Sequence, residues 1–161
     1  MTSHKGYIVS ITQKTVEDKT YIQMFGRLEN GKSFAAIKEF MPYFFIRESE
    51  LSKVKSLLGK FQTEKTSLVN FKSEKMLKIS SPNQSELAKL RSAIHKKTDT
   101  YEADLTPSMR FTIDNNLYCM VEISGESEPA ERVDLLFKGP KIKSIPSDSF
   151  KPKLKILSID I

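Results

Sequence analysis

Groups able to do chemistry are scarce in this chain of 161 residues. The one cysteine, Cys119, excludes an internal disulfide and a multi-cysteine zinc site. Two histidines, His4 and His95, leave little material for a histidine-rich metal centre or a Ser/His/Asp triad. Acids occur in small groups. Glu48 and Glu50 read as helix-start residues matched to the helix dipole, and Glu126, Glu128 and Glu131 as a solvated turn. Asp160 is different, because it lies in an apolar run where a carboxylate is costly unless it faces a site. One carboxylate does not make a two-metal centre, which needs convergent acids. The six glycines stand singly, so no glycine-rich phosphate loop is present. Cys119 reads as a small buried hydrophobe and His95 as a surface residue at a helix end. A stand-alone enzyme is the reading these residues favour least.

Charge suggests binding instead. Residues 51–100 hold eleven Lys or Arg and four Asp or Glu, a surplus larger than the +6 of the whole chain. A one-sided basic segment attracts phosphates and displaces counterions from nucleic acid, although a lysine-rich solvated surface has the same composition. With 39 % hydrophobic residues the chain can bury a core. No apolar run approaches the ~18 residues of a membrane-spanning helix, so no membrane partner is expected.

The elements that would position these groups are legible from spacing. Alternation over 7–11 and 21–25 predicts two strands around a polar turn at 16–19. Asn30-Gly31, a hairpin signal, then leads to a third strand at 33–37. Pro42 opens an aromatic strand, Tyr43-Phe44-Phe45-Ile46. Leu51, Val54, Leu57 and Leu58 recur at helical spacing up to Gly59. Strands at 67–71 and 76–79 follow. Ser81 is the expected cap of a second helix, with Pro82 in its first turn and Gln84 completing a capping box. Leu87, Leu90 and Ile94 form its buried stripe, and 101–103 reads as a last short strand. Strand, helix, strand, strand, helix, strand is the ferredoxin-like βαββαβ order, with both helices on one face of an antiparallel sheet. Thr106-Pro107 starts a further helix that stops at Asn115-Asn116. Residues 117–123 and 133–137 are expected to pair around the acidic turn 125–131, and 138–152 to be an extended linker. The expected class is therefore α+β. A β meander occupies 1–41, the ferredoxin-like subdomain 42–104, a helix and strand pair 105–137, and a linker and terminal strand 138–161.

Such a sheet invites comparison with modules that stack RNA bases on sheet aromatics. The strand at 67–71 lacks their aromatic–glycine pattern, so Phe44, Phe45 and Phe71 read as packing residues.

Four stretches carry a resemblance. They are Gly6-Tyr7-Ile8-Val9, Phe40-Met41-Pro42-Tyr43-Phe44-Phe45, Tyr101-Glu102-Ala103-Asp104 followed by Pro107, Arg110 and Phe111, and Pro152-Lys153-Leu154-Lys155 leading to Ser158-Ile159-Asp160-Ile161. Together they resemble the N-terminal domain of family B DNA polymerases, nearest to the bacterial polymerase II group, over nearly the whole chain. The resemblance implies that the last strand opens a ribonuclease H-like 3′–5′ proofreading exonuclease. Asp160 would there bind Mg2+ or Mn2+ with a glutamate that follows Ile161 in the family. It also implies that the chain is a catalytically silent piece of a DNA-directed DNA polymerase without its palm, fingers and thumb. No cofactor is then expected in the piece itself. Single-stranded or primer–template DNA, the remaining polymerase domains in cis and a sliding clamp would be the partners, and the cytoplasm, at the nucleoid, the location.

Archaeal members of the family capture template uracil in a pocket. By position, that pocket would comprise Ile11, Pro42, Tyr43, Phe44, Pro82, Ser85, Lys89, Thr106 and Pro107. Ile11 stands where an aromatic is expected, Ser85 where an apolar residue is, and Lys89 where an arginine is, so no strong uracil preference is expected. A scaffold role beside the single-stranded template remains, with Lys89, Arg91, Lys96 and Lys97 contacting phosphates. The rival reading is a free-standing ferredoxin-like module that binds single-stranded nucleic acid. An open reading frame continuing past Ile161 with glutamate would favour the polymerase over that module.

Overall fold

The computed structural model describes residues 3–152 and 154. In chain order its elements are β1 (Ser3–Val16), β2 (Lys19–Leu28), β3 (Ser33–Phe40), β4 (Tyr43–Arg47), a 3-10 turn (Glu48–Glu50), α1 (Leu51–Leu58), β5 (Gln62–Val69), β6 (Lys75–Ser80), α2 (Gln84–His95), α3 (Pro107–Asp114), β7 (Met120–Ser124), β8 (Ser127–Ala130), β9 (Val133–Lys138) and β10 (Lys141–Ser144). They fall into two compact units. One comprises residues 3–14, 21–39 and 111–152, and the other residues 15–20 and 40–110.

The first unit is built on a seven-stranded sheet in the order β10-β7-β1-β2-β3-β9-β8. On β2, Ile22 and Met24 are fully buried while Tyr21, Gln23 and Phe25 are half-exposed or exposed, the period of two that a one-sided sheet requires. Gly31, at φ +85°, makes the β2–β3 turn, and the Asn30 side chain accepts from the Lys32 amide. Phe34 and Phe137 meet edge to face, with ring centroids 6.3 Å apart, in a core shared with Val121 and Ile123. Gly26 is there because backbone and ring approach it closely. A Cβ at that position would stand 2.1 Å from the Tyr7 carbonyl and 2.6 Å from the Phe34 ring.

Four expectations for this unit are corrected. β7 and β9 do not pair: β7 lies between β1 and β10, and β9 runs parallel to β3 with β8 antiparallel on its other side. The acidic turn thus contains a short strand of its own, and the supposed linker contains β10. Apolar alternation marks a strand but does not name its neighbour, so the sequence did not reveal these non-local pairings. Cys119 is exposed, because it precedes β7 and only its carbonyl enters the sheet, accepting from the Ile8 amide at 2.7 Å.

The second unit carries the three-stranded sheet β4-β6-β5, antiparallel throughout. Phe44, Ile46, Leu77 and Ile79 on one face pack with Val54 and Leu58 of α1 and Leu87, Leu90 and Ile94 of α2. Each such side chain contributes ~1.5–3 kcal/mol on burial. The expected fourth strand is reduced to one antiparallel bridge, in which Tyr101 exchanges both backbone hydrogen bonds with Phe45, at 2.8 and 3.0 Å. Glu102, at φ +52°, then turns the chain out of the ladder. Position by position this is the ferredoxin-like order, and the class is α+β. The helix start at Ser81 is corrected as well. Asn83 is the cap: its side chain accepts from the Ser85 and Glu86 amides, and its own amide donates to Ser81 Oγ.

β3 and β9 are joined by Asp134, whose carboxylate accepts from the Ser33 hydroxyl and amide, both at 2.6 Å. These two bonds, the hydroxyl's first, hold Asp134 below the usual aspartate range. A carboxylate depressed in the folded state adds stability above its unfolded pKa of ~3.9, and the gain is lost as pH falls through the lower folded value. Asp134→Asn is therefore expected to lower Tm at pH 6–7 and to flatten the acid limb of a Tm–pH profile. The two profiles should converge at the acid end, and parallel profiles would refute this role.

Candidate nucleic-acid interface

A notch of about 60 Å3 forms in the second unit where three segments converge. Pro42, Tyr43 and Phe44 come from the start of β4, and Gln84, Leu87, Ala88 and Arg91 from one stripe of α2. Ala103, Leu105, Pro107 and Arg110 come from the chain entering α3 and its first turn. Spacings of three, four and seven put the α2 residues on a single face. Thr106 accepts from the Met109 amide through Oγ1 and Pro107 fills the first helical position, so α3 starts as the cap-plus-proline pair predicts.

Two arginines set the electrostatics. Arg91 Nη1 donates a short hydrogen bond to the Ala103 carbonyl. Arg110, buried, pairs with Glu102 and lies over the Tyr43 ring, 4.7 Å from its centroid. The Lys78 ammonium lies 4.4 Å from the same centroid. Tyr43 also meets Phe45 edge to face. The notch is thus walled by an aromatic–cation assembly whose guanidinium groups are already engaged.

The structure brings Pro42, Tyr43, Phe44 and Pro107 together. It does not bring the other position-matched residues to that lining. Ser85 and Lys89 are exposed at α2 positions off the lining stripe. Pro82 is exposed, and its carbonyl accepts from the Thr20 amide and hydroxyl. Thr106 serves as the α3 cap. Ile11 belongs to the first unit, where it lines an apolar cleft with Tyr7, Val9 and Tyr118. The position-matched pocket left out Arg91 and Arg110, which the sequence marks as a phosphate contact and as part of a matched stretch. Helical spacing from Leu87 reaches Arg91, and spacing from Pro107 reaches Arg110, so both were accessible to geometry.

Of the basic quartet, Arg91 and Lys96 share the wall of a second, larger cleft of about 530 Å3 with Ser92, His95, Thr100 and Asp104, while Lys89 and Lys97 are exposed elsewhere on or just after α2. Much of the lysine surplus is neutralised locally. Lys53 pairs with Glu50, Lys60 with Glu86, Lys65 with Glu48 and Lys78 with Glu64. The Lys65 contact, chiefly through its hydrogen bond, holds Glu48 below the usual carboxylate range. Among the described residues no group of three or more His, Cys, Asp or Glu is placed to hold a metal, and Asp160 lies outside them. No described helix is long and apolar enough to cross a membrane.

No protein-family profile matches the chain. A DNA polymerase of Archaeoglobus fulgidus is 24 % identical over 165 residues, covering 97 % of this chain and 21 % of that protein. The solved family B DNA polymerase of the hyperthermophilic archaeon Pyrobaculum calidifontis superposes with a TM-score of 0.71 at 20 % identity, over 93 % of this chain and 21 % of that one. The mixed α+β fold is that of the N-terminal domain of a family B polymerase. The chain spans about a fifth of the length of either relative.

The notch depends on where α2 starts, and hence on Asn83. Asn83→Ala is expected to cost about 1 kcal/mol, read as a lower denaturant midpoint at unchanged m-value. An unchanged midpoint would show that the cap does not set the helix.

Proposed function

We propose that this chain is the N-terminal, non-catalytic region of a DNA-directed DNA polymerase of family B and that it lies beside the single-stranded template. The similarity that runs along 97 % of the chain to an archaeal DNA polymerase carries this reading. On it, the partners are the remaining polymerase domains in cis, template DNA and, through the full-length protein, a sliding clamp. A polymerase II-like parent with proofreading is the finer form of the proposal, and it rests on the matched residue stretches. In such a parent Asp160 would supply one ligand to the exonuclease Mg2+ or Mn2+, which would activate water and steady the leaving oxygen. The residues described here bind and position and carry no chemical step.

Lys89, Lys96 and Lys97 form no ion pair among the described residues, so their charge is available to phosphates, and Arg91 stands beside them on α2. Contacts of this kind are salt-dependent and sequence-blind. A labelled single strand titrated at low and moderate salt is expected to bind more weakly as salt rises. The triple variant Lys89→Gln, Lys96→Gln, Lys97→Gln should flatten the log–log salt slope by about 2, at roughly 0.7 per phosphate contact. Absence of binding at both salts would sink the reading, and an unchanged slope would remove these lysines from it.

Two further outcomes follow from the site. In the presence of Mg2+ the strand should remain intact, and metal-dependent cleavage by this chain would contradict its silence. The notch is far below the ~300–1,000 Å3 of ordinary ligand pockets. Uracil-bearing and thymine-bearing strands should therefore bind within a few-fold of each other, and a large gain for uracil would overturn the expectation of no preference.

A further inference from the structure

The second unit holds an aromatic that the packing reading does not explain. Phe44 and Phe45 are buried, but Phe71 is fully exposed. It stands at the β5–β6 hairpin, and its exposure is built in. Asn70 Oδ1 accepts from the Lys72 and Glu74 amides, its Nδ2 donates to the Glu74 carboxylate, and the Asn70 amide donates to the Glu74 carbonyl. Beside Phe71, a groove of about 440 Å3 is lined by Phe45, Leu68, Val69, Met76 and Tyr101, with Leu68 and Val69 each more than half exposed. A lone exposed apolar residue needs no explanation, but a fully exposed ring beside an apolar groove does.

The charges around the groove indicate its occupant. Its acids are engaged: Glu102 pairs with Arg110, and Glu74 with Arg47 and Asn70. Lys72, next to Phe71, is exposed and forms no ion pair among the described residues. A ring with a free ammonium group beside it suits a polyanion that carries flat apolar faces. We propose that this groove binds single-stranded DNA by stacking a base on Phe71 while Lys72 meets an adjoining phosphate. The inference rests on the template-strand reading above but uses a different surface from the α2 lysines.

The chain has no tryptophan, so Phe71→Trp installs a single fluorophore at the contact. Oligo-dT is expected to quench the indole saturably, with a midpoint matching that from anisotropy of labelled strand, whereas a duplex should not. Phe71→Ala, at an exposed position that leaves the core untouched, should weaken binding by about tenfold or more. Lys72→Gln should reduce the salt slope by about 0.7. Binding that persists without quenching and ignores Phe71→Ala would overturn this proposal and leave the α2 contacts standing. Quenching by an apolar peptide but not by DNA would overturn it in favour of a protein partner. Absence of strand binding in the unmodified chain at low salt would bring down both this proposal and the reading on which it rests.

Discussion

A buried hydroxyl determines where α2 begins, and the candidate interface depends on that start. Thr20 is fully buried. Its amide and its Oγ1 both donate to the Pro82 carbonyl, at 2.8 and 2.7 Å, and Oγ1 accepts in turn from the Gln84 amide at 3.1 Å. Two residues away, Asp18 accepts from Asn83 Nδ2 at 2.8 Å. The positive-φ turn at Glu17-Asp18 thereby ties Pro82, Asn83 and Gln84 in place. Buried polar groups persist only when satisfied, and here each satisfies another. A helix advances about 100° per residue, so shifting its start by one position would turn Leu87 and Arg91 away from the notch.

This tie also explains which parts of the second unit could be read from the sequence. The stripe of Leu87, Leu90 and Ile94, the stop at Gly59 and the Thr106-Pro107 start are local patterns, and the structure contains each of them. Ser81 and Asn83 were both chemically suited to cap. The choice fell to Asn83 because Thr20, 62 residues before Pro82, claims the carbonyl between them. No window of neighbouring residues contains that information. The same limit hid the sheet partners in the first unit. β9 reads as a strand in isolation, but its parallel alignment with β3 is a contact across about a hundred residues, pinned by Ser33 and Asp134.

Aromatic identity was a poor guide to burial for a related reason. β5 is exposed along nearly its whole length, because it is a sheet edge paired only with β6. Its charged residues, Glu64 and Lys65, are of the kind that keep an edge from recruiting foreign strands. A ring at the end of such a strand has no core to enter. Phe44 and Phe45, on the strand between β6 and the Tyr101 bridge, had a packing partner on each face. Position within the sheet, rather than residue type, separated the two cases.

The walls of the notch limit its selectivity. Arg91, rather than Lys89, faces the cavity, and its guanidinium is already committed to the Ala103 carbonyl. Arg110 is likewise held by Glu102 and Tyr43. A planar donor locked into the wall has fewer free N–H groups to read a base edge. Discrimination between bases needs such unspent donors. On the proposed function, what would remain for nucleic acid is charge on α2 and the exposed Phe71 ring, both indifferent to sequence.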